Sequence, residues 1–287
     1  MVYDIYMVTL LLHTLWRILV FSIGGVAIWF IVFEIVPYAD KRLPTFFAIL
    51  IAYCLLAYLV IPALFRLYHV IVKHDHIPLY VTTGDGWASD PVNLAIIVKD
   101  QKQLEKAFAQ AGWYKADPPT LMNMLREGAS IVLNMAYPTA PVSSLYLFNR
   151  KHDVAFQIPT NGRMSARSRH HLRLWRLEAP LAEKPDHNHF DFWSKKLFKW
   201  ISGEKEVWVA ACTEDVHPIG VRFRTGTITH AIDHNADVER DYTIGTLRDA
   251  GLIKSTDASE PGEPYRFRGQ QFGTFITDGT IKVIDIK

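Results

Sequence analysis

Ile18-LVFSIGGVAIWFIVFEI-Val36 is the stretch that decides the fold, and Glu34 is its single charged residue. A second stretch, Leu43–Phe65, carries no charge. About 20 apolar residues in helical conformation cross the hydrocarbon core of a bilayer. Because backbone amides in lipid must be satisfied within their own segment, both stretches are predicted to be helices. We therefore expect a transmembrane hairpin with spans at about residues 18–36 and 44–65.

The orientation of this hairpin follows from its short linker and from the basic residues around it. The linker Pro37–Pro44 permits only a tight reversal, so both ends of the hairpin emerge on one side. Basic residues at those ends are Arg17, Arg66 and Lys73, and those of the linker are Lys41 and Arg42. Three against two favours the cytoplasmic side for the remainder of the chain by the positive-inside rule.

Composition narrows the functional classes. The chain holds 31 Lys+Arg against 29 Asp+Glu, a net charge of +2 that gives no electrostatic reason to expect a nucleic acid as partner. Its two cysteines, Cys54 in the second span and Cys212 far away, do not form a disulfide framework. The common signatures of hydrolases, phosphate-binding loops and zinc proteases are absent from the sequence.

Local patterns divide the chain into a membrane anchor at 1–74, a linker with turn residues at 75–90, and a soluble domain at 91–287. Strands are predicted at Val92–Val98, Ile131–Met135, Ser144–Phe148, Val154–Ile158, Arg169–Leu177, Val207–Cys212 and Ile281–Ile286. Helices are predicted after Asp100, at Pro118–Glu127 and at Ala236–Ala250, the last with Asn235 or Asp233 as its cap. The predicted class is α+β with a mixed sheet.

The densest polar cluster lies in Arg167–Arg176. On a strand, the period of two places Arg169, His171 and Arg173 on one face and His170 on the other. Guanidinium and imidazole groups on one face form a candidate binding site for an oxyanion such as phosphate. The alternative is a solvated strand face whose arginines pair with carboxylates. Both interpretations expect this face to be open to solvent.

A second cluster, His230–Asp241, offers candidate metal ligands. His230, Asp233 and Asp237 could supply one nitrogen and two oxygens to a divalent metal, although acidic residues in the first turn of a helix are also explained by its dipole. Two turns at strand ends add further candidates. These are Arg150 with Asp153, and Thr213, Glu214, Asp215 and His217.

Several short segments carry a resemblance to a known family. They are Asp90–Asn93, Ala111–Trp113, Pro141–Phe148 with Arg150 and Asp153, Arg169–Trp175, Val207–Val209 and Asp237–Asp241. Over about residues 88–254 the chain resembles the LssY C-terminal domain family, whose bacterial members are often attached to membrane segments, including lipid-phosphatase-like ones. The resemblance implies a bacterial inner-membrane protein and hints at phosphorylated ligands.

Two functions remain open from the sequence. The first is a membrane-anchored accessory subunit whose soluble domain binds a partner, another membrane protein or an anionic, phosphorylated ligand. The second is a membrane-proximal phosphoesterase or related hydrolase. In the second, Arg150, Arg169, Arg173 and Arg240 hold the ligand with Asp153, and His170, His171, Asp233 and Asp237 are the catalytic candidates.

Overall fold

The computed structural model describes residues 2–71, 79–178, 190–198, 205–260, 265–268 and 274–287. The chain divides into two compact units. The first comprises Met1–His74, Gly84–Trp87 and Arg222–Thr227, and the second comprises Asp75–Thr83, Ala88–Val221 and Ile228–Lys287.

Two long helices dominate the first unit. The first consists of α1 (Val2–Phe30), a π-helical stretch Ile31–Ile35, and α2 (Val36–Asp40); the second consists of α3 (Thr45–Cys54), a π-helical stretch Leu55–Val60, and α4 (Ile61–Ile71). Each π-helical stretch ends two residues before a proline, Pro37 or Pro62, whose missing N–H leaves a carbonyl one turn earlier without its helical partner. Over Thr14–Asp40 and Thr45–Tyr68 the helices are long and apolar enough to cross a membrane.

The first unit also contains two turns that bond to its second long helix. Arg66 Nε donates to the carbonyl of Gly84 at 2.9 Å, and the rings of Phe65 and Trp87 meet edge to face with centroids 4.9 Å apart. The hydroxyl of Tyr53 donates to the carbonyl of Gly226 at 2.8 Å. These contacts tie both turns to the apolar helix.

The second unit is an α+β fold. Its strands are β1 (Tyr80–Thr83), β2 (Ala88–Pro91), β3 (Leu94–Val98), β4 (Tyr114–Lys115), β5 (Leu145–Leu147), β6 (Arg150–Lys151), β7 (Val154–Pro159), β8 (Arg169–Leu177), β9 (Glu206–Val221), β10 (Ile228–Ile232), β11 (Ile253–Glu260), β12 (Tyr265–Arg268), β13 (Thr274–Thr277) and β14 (Ile281–Ile286). Its helices are α5 (Gln101–Gln110), α6 (Leu121–Leu133), α7 (Phe190–Phe198) and α8 (Ala236–Asp249).

Among these described strands, the largest sheet runs β11-β14-β3-β9-β8-β7-β4, with β10 paired to β9. The pair β14–β3 is parallel and its other pairs are antiparallel, so the sheet is mixed as expected. A smaller sheet has the order β2-β1-β5-β6, and β12 pairs with β13.

Apolar side chains cover the large sheet on both faces. Along β8, Leu172 and Leu174 lie in a core with α5 and α8, while Trp175 and Leu177 lie in a second core with β1 and β5. The alternation predicted for this strand is therefore confirmed. Both of its faces, however, are buried, since a central strand is covered by a layer on each side.

The structure corrects three boundaries predicted from sequence. Residues 80–83 and 88–91 are strands, not linker, and residues 75–78 lie outside the described part. The predicted strand Ile131–Met135 is wrong, because α6 continues to Leu133 and ends at Asn134 in the left-handed conformation. Helix α6 begins at Leu121 rather than at Pro118, and Thr120 caps it by accepting the N–H of Asn123.

Candidate functional site

Arg169 occupies the first position of β8 and is only 4% exposed. Its Nε donates to Asp215 Oδ2 at 3.0 Å and its NH2 donates to Glu127 Oε1 at 2.9 Å. Its NH1 donates to Gln157 Oε1 at 2.9 Å and to the carbonyl of Pro141 at 3.1 Å. All three of its nitrogens are therefore engaged by protein acceptors, which account for four of its five N–H groups.

Arg173 is paired in the same way four residues further along the strand, and it is 6% exposed. Its Nε donates to the carbonyl of Ser143 at 2.9 Å and its NH1 lies 3.3 Å from Asp90 Oδ2. The expectation of a solvent-open Arg/His face is thus wrong. The chain around Ala140–Ser143, together with α6, covers this face, and the arginines form a buried ion-pair network.

His171 lies between these arginines and is 2% exposed. Its Nδ1 makes no hydrogen bond within the described structure and lies 3.6 Å from Asp215 Oδ2. Burial, with the positive charges of Arg173 and Arg169, lowers the pKa of His171 to about 3 despite the attraction of Asp215. Burial opposes ionisation of Asp215 too, but His171 and the Arg169 guanidinium outweigh it and hold the pKa of Asp215 below its usual value.

His230 joins the same cluster from β10. Its Nδ1 lies 4.0 Å from Asp215 Oδ2, and its Nε2 is hydrogen-bonded to the carbonyl of Ala166 at 2.8 Å. The structure thus brings His171 and His230 to one carboxylate. His170 points to the opposite face of the sheet, so the adjacent histidines do not share one site.

The remaining candidate residues hold the domain together. Asp237 Oδ1 accepts from Thr277 Oγ1 and Asp237 Oδ2 from the backbone N–H of Asp278. Arg240 is 3% exposed and pairs with Asp237, Asp241 and Asp278. The structure therefore directs Asp237 to Arg240 and to the loop before β14 rather than to a metal.

Asp233 and the Arg150–Asp153 pair have local roles as well. Asp233 Oδ1 accepts the backbone N–H of Asn235. Arg150 NH2 lies 3.3 Å from Asp153 Oδ2, which accepts the backbone N–H of Arg176 at 2.7 Å. Within the described residues, His230, Asp233 and Asp237 do not come together as a set of metal ligands.

A different set of potential ligands lies on the other face of the sheet. His170 on β8 pairs directly with Glu214 on β9, and Glu239 on α8 packs over them. One ligand atom from each of these residues lies within 4.8 Å of the other two. Tyr242, one turn after Glu239, stacks on the ring of His170 with centroids 3.8 Å apart. From the sequence alone, Glu214 is expected in a turn after a strand, and Glu239 fits the acidic first turn of a helix. No local pattern indicates that the two residues meet.

The most exposed apolar surface among the described residues of the second unit belongs to α6. Its outward face and the residue after its cap expose seven large apolar side chains by between 47% and 74%. They are Leu121, Met122, Met124, Leu125, Val132, Leu133 and Met135. The inward face is polar, with Glu127 bonded to Arg169 and Ser130 Oγ accepting the backbone N–H of Ala166. The helix is therefore amphipathic with its polar side facing the interior and its apolar side facing outward, the reverse of the usual arrangement. We call its outward side the α6 apolar face.

The model of the family described as LssY C-terminus matches residues 74–281. The chain belongs to this family. No curated protein and no solved structure matches it. The match to the LssY C-terminus family covers the Arg169 network, the His170 cluster, α6 and every strand of the large sheet except β14, of which it includes only the first residue; it leaves out the two long apolar helices.

Breaking the Arg169 network should destabilise the LssY C-terminus domain as much as a core truncation. We expect Arg169→Met to lower the free energy of unfolding by about 3–5 kcal/mol because it strands Asp215 and Glu127, comparable with about 2–5 kcal/mol for Leu172→Ala. Denaturant unfolding of the full chain in detergent, followed by tryptophan fluorescence, measures both. Arg176→Met is the control, since Arg176 is exposed and its pair with Glu206 should contribute under about 1 kcal/mol. If Arg169→Met were as stable as the wild type, the structural role of Arg169 would be contradicted and the hypothesis of a ligand-binding Arg/His face would be favoured again.

Neutral, buried His171 should make the domain sensitive to acid. The unfolded chain binds the proton near pH 6.5, whereas the folded chain resists it down to a pKa of about 3. Stability is therefore greatest above pH 6.5 and should fall below it by up to about 1.4 kcal/mol per pH unit. Melting temperatures between pH 7.5 and pH 4.5 measure the slope, which His171→Gln should flatten and His217→Gln, at an exposed position, should not. An unchanged slope in His171→Gln would show that other groups, such as His152, dominate.

Proposed function

We propose that the chain is a membrane-anchored binding subunit whose soluble domain lays the α6 apolar face onto an anionic bilayer surface. The exposed apolar side chains of this face carry the proposal. Soluble monomers rarely leave a contiguous apolar patch of this kind in water, and such patches mark contacts with membranes or partners. An amphipathic helix with aliphatic residues on one face is the usual form of a membrane-surface element.

Burial of the α6 apolar face in lipid releases enough free energy to hold the domain on the bilayer surface. Full burial of one Leu, Val or Met side chain contributes about 1.5–3 kcal/mol, so a few of the seven are enough to hold the surface against lipid. The two N-terminal helices are long and apolar enough to act as a tether. A tethered domain meets its bilayer at high effective concentration, and weak surface contacts then persist.

Charge around the α6 apolar face favours anionic lipid over a neutral surface. Arg126 on α6 and Arg163 are exposed, and Arg163 lines an open depression together with Leu133 and Met135. The one acidic residue of α6, Glu127, is already paired with Arg169. Each basic residue near an anionic leaflet contributes about 1 kcal/mol. The phosphorylated ligand expected from the sequence would then be a lipid headgroup.

The hydrolase alternative has less support. It required the arginines of β8 to clamp phosphoryl oxygens, yet Arg169 and Arg173 bond to carboxylates, carbonyls and an amide within the domain. It also offered His171 or His170 as the proton-exchanging group. Burial disfavours protonation of His171, and His170 lies on the opposite face of the sheet from the two arginines. A non-catalytic, accessory role agrees better with these contacts.

Lipid contact of α6 can be measured by site-specific labelling of the full chain in nanodiscs. Cys54 is replaced by Ser, and Cys212 is retained because it is fully buried and burial raises the pKa of its thiol. Single cysteines at Leu125 and Val132 then carry an environment-sensitive dye. We expect brominated lipids to quench both labels, more strongly in discs containing phosphatidylglycerol than in phosphatidylcholine alone. A label at Lys102, an exposed position of α5, should be unaffected and serves as the matched control.

Other outcomes contradict the proposal. Equal quenching of all three labels by aqueous iodide would mean that α6 stays in water. Labels shielded from iodide but insensitive to brominated lipid, with dimers captured by cross-linking, would mean that a second copy covers the face. The variant Arg163→Glu separates the electrostatic contribution from the apolar one. It should reduce the preference for phosphatidylglycerol and leave the quenching in phosphatidylcholine unchanged.

A further inference from the structure

His170, Glu214 and Glu239 converge by a specific arrangement of two strands and a helix. His170 and Glu214 are direct cross-strand partners, so their side chains project from the same face of the sheet. Glu239 reaches the same point from α8, where its Oε2 lies 2.9 Å from His170 Nδ1. The stacked ring of Tyr242 fixes the plane of the imidazole. One imidazole and two carboxylates are thus held close together by three elements, β8, β9 and α8.

Glu239 is the unusual member of this cluster. It is only 3% exposed, and its Oε1 is buried without a hydrogen-bond partner among the described residues. A buried carboxylate oxygen left unsatisfied is costly, and native structures rarely keep one without a reason. The orphaned oxygen belongs to the residue that faces His170 and Glu214.

The charges around Glu239 do not compensate for it. Burial, with the like charges of Glu214 and Asp233, raises the pKa of Glu239 against the opposing effect of His170. The nearest guanidinium on α8, that of Arg240, is engaged by Asp237, Asp241 and Asp278. Cys212, buried beneath this face, remains a neutral thiol because burial raises its pKa. Arg240 is therefore committed to other carboxylates, and Cys212 adds no charge to the cluster.

We propose that His170, Glu214 and Glu239 bind a divalent transition-metal cation such as Zn²⁺ or Mn²⁺. Ligand atoms within 4.8 Å of one another need only a small contraction to reach metal–ligand bonds of about 2.0–2.2 Å. One imidazole and two carboxylates suit these metals rather than soft, thiol-binding ones. His170 and Glu214 are half-buried, which leaves a path for the ion. Three protein ligands leave coordination positions open for water or for an anionic group.

The proposal does not depend on the α6 contact with lipid, and its test uses the metals alone. The full chain in detergent, freed of metal with EDTA, is titrated with ZnCl₂ and with MnCl₂ by isothermal calorimetry. We expect one equivalent of metal to bind and to raise the melting temperature. The loss of a partner behind a ligand weakens metal binding by about 10- to 100-fold. Glu239→Gln and His170→Gln remove a ligand itself and should weaken binding by more than about 100-fold.

Two control variants distinguish this site from other acidic groups. Asp233→Asn preserves the turn at Asn235 and should leave the stoichiometry intact, as should His217→Gln at an exposed position. Far-UV circular dichroism establishes that each variant is folded, and Glu214→Gln, at a half-buried position, replaces Glu239→Gln if the latter is not. The absence of stoichiometric binding to the wild type, or wild-type affinity in folded Glu239→Gln or Glu214→Gln, would overturn the proposal.

Discussion

Burial of the Arg169 guanidinium is the constraint on which the second unit depends. A guanidinium cannot lose its charge, so each N–H direction that leaves water needs an acceptor from the protein. Asp215 comes from β9, Gln157 from β7, Glu127 from α6, and Pro141 from the chain before β5. Four segments far apart in sequence must therefore converge on one side chain. An arrangement that misplaces any of them leaves a buried charge unpaired, which makes this packing specific.

The inverted orientation of α6 follows from this network. Glu127 must point inward to reach Arg169, and on a helix the residues at spacings of three and four follow it, including Ser130 and Ile131. Arg167 adds hydrogen bonds to the carbonyls of Ile131 and Val132 at the end of the helix. With its polar side committed to the interior, α6 can only direct its leucines and methionines outward. Its exposed apolar face is thus fixed by the same interactions that fix the sheet.

Local signals explain what the sequence predicted correctly. The bounds of β8 and β14 and the Asp100 cap of α5 depend on residues a few positions apart, and they match the structure. Amphipathicity, in contrast, gives the period of a helix but not which face is buried, so the orientation of α6 was not predictable. The partners of Arg169 and the approach of Glu239 to His170 depend on contacts across 12 to 69 residues of sequence, which no local pattern encodes.

His170 and His171 show how one strand separates two chemical environments. His171 lies under the cover of α6 and the chain before β5, where burial holds it neutral between two arginines. His170 lies on the opposite face, half-buried, with Glu239 and Tyr242 beside it. Because α6 is bonded to the Arg169 face, its apolar surface and the His170 cluster lie on opposite sides of the large sheet. A lipid contact on one side would not cover the half-buried His170 and Glu214 on the other, so the two proposed sites can act together in one domain.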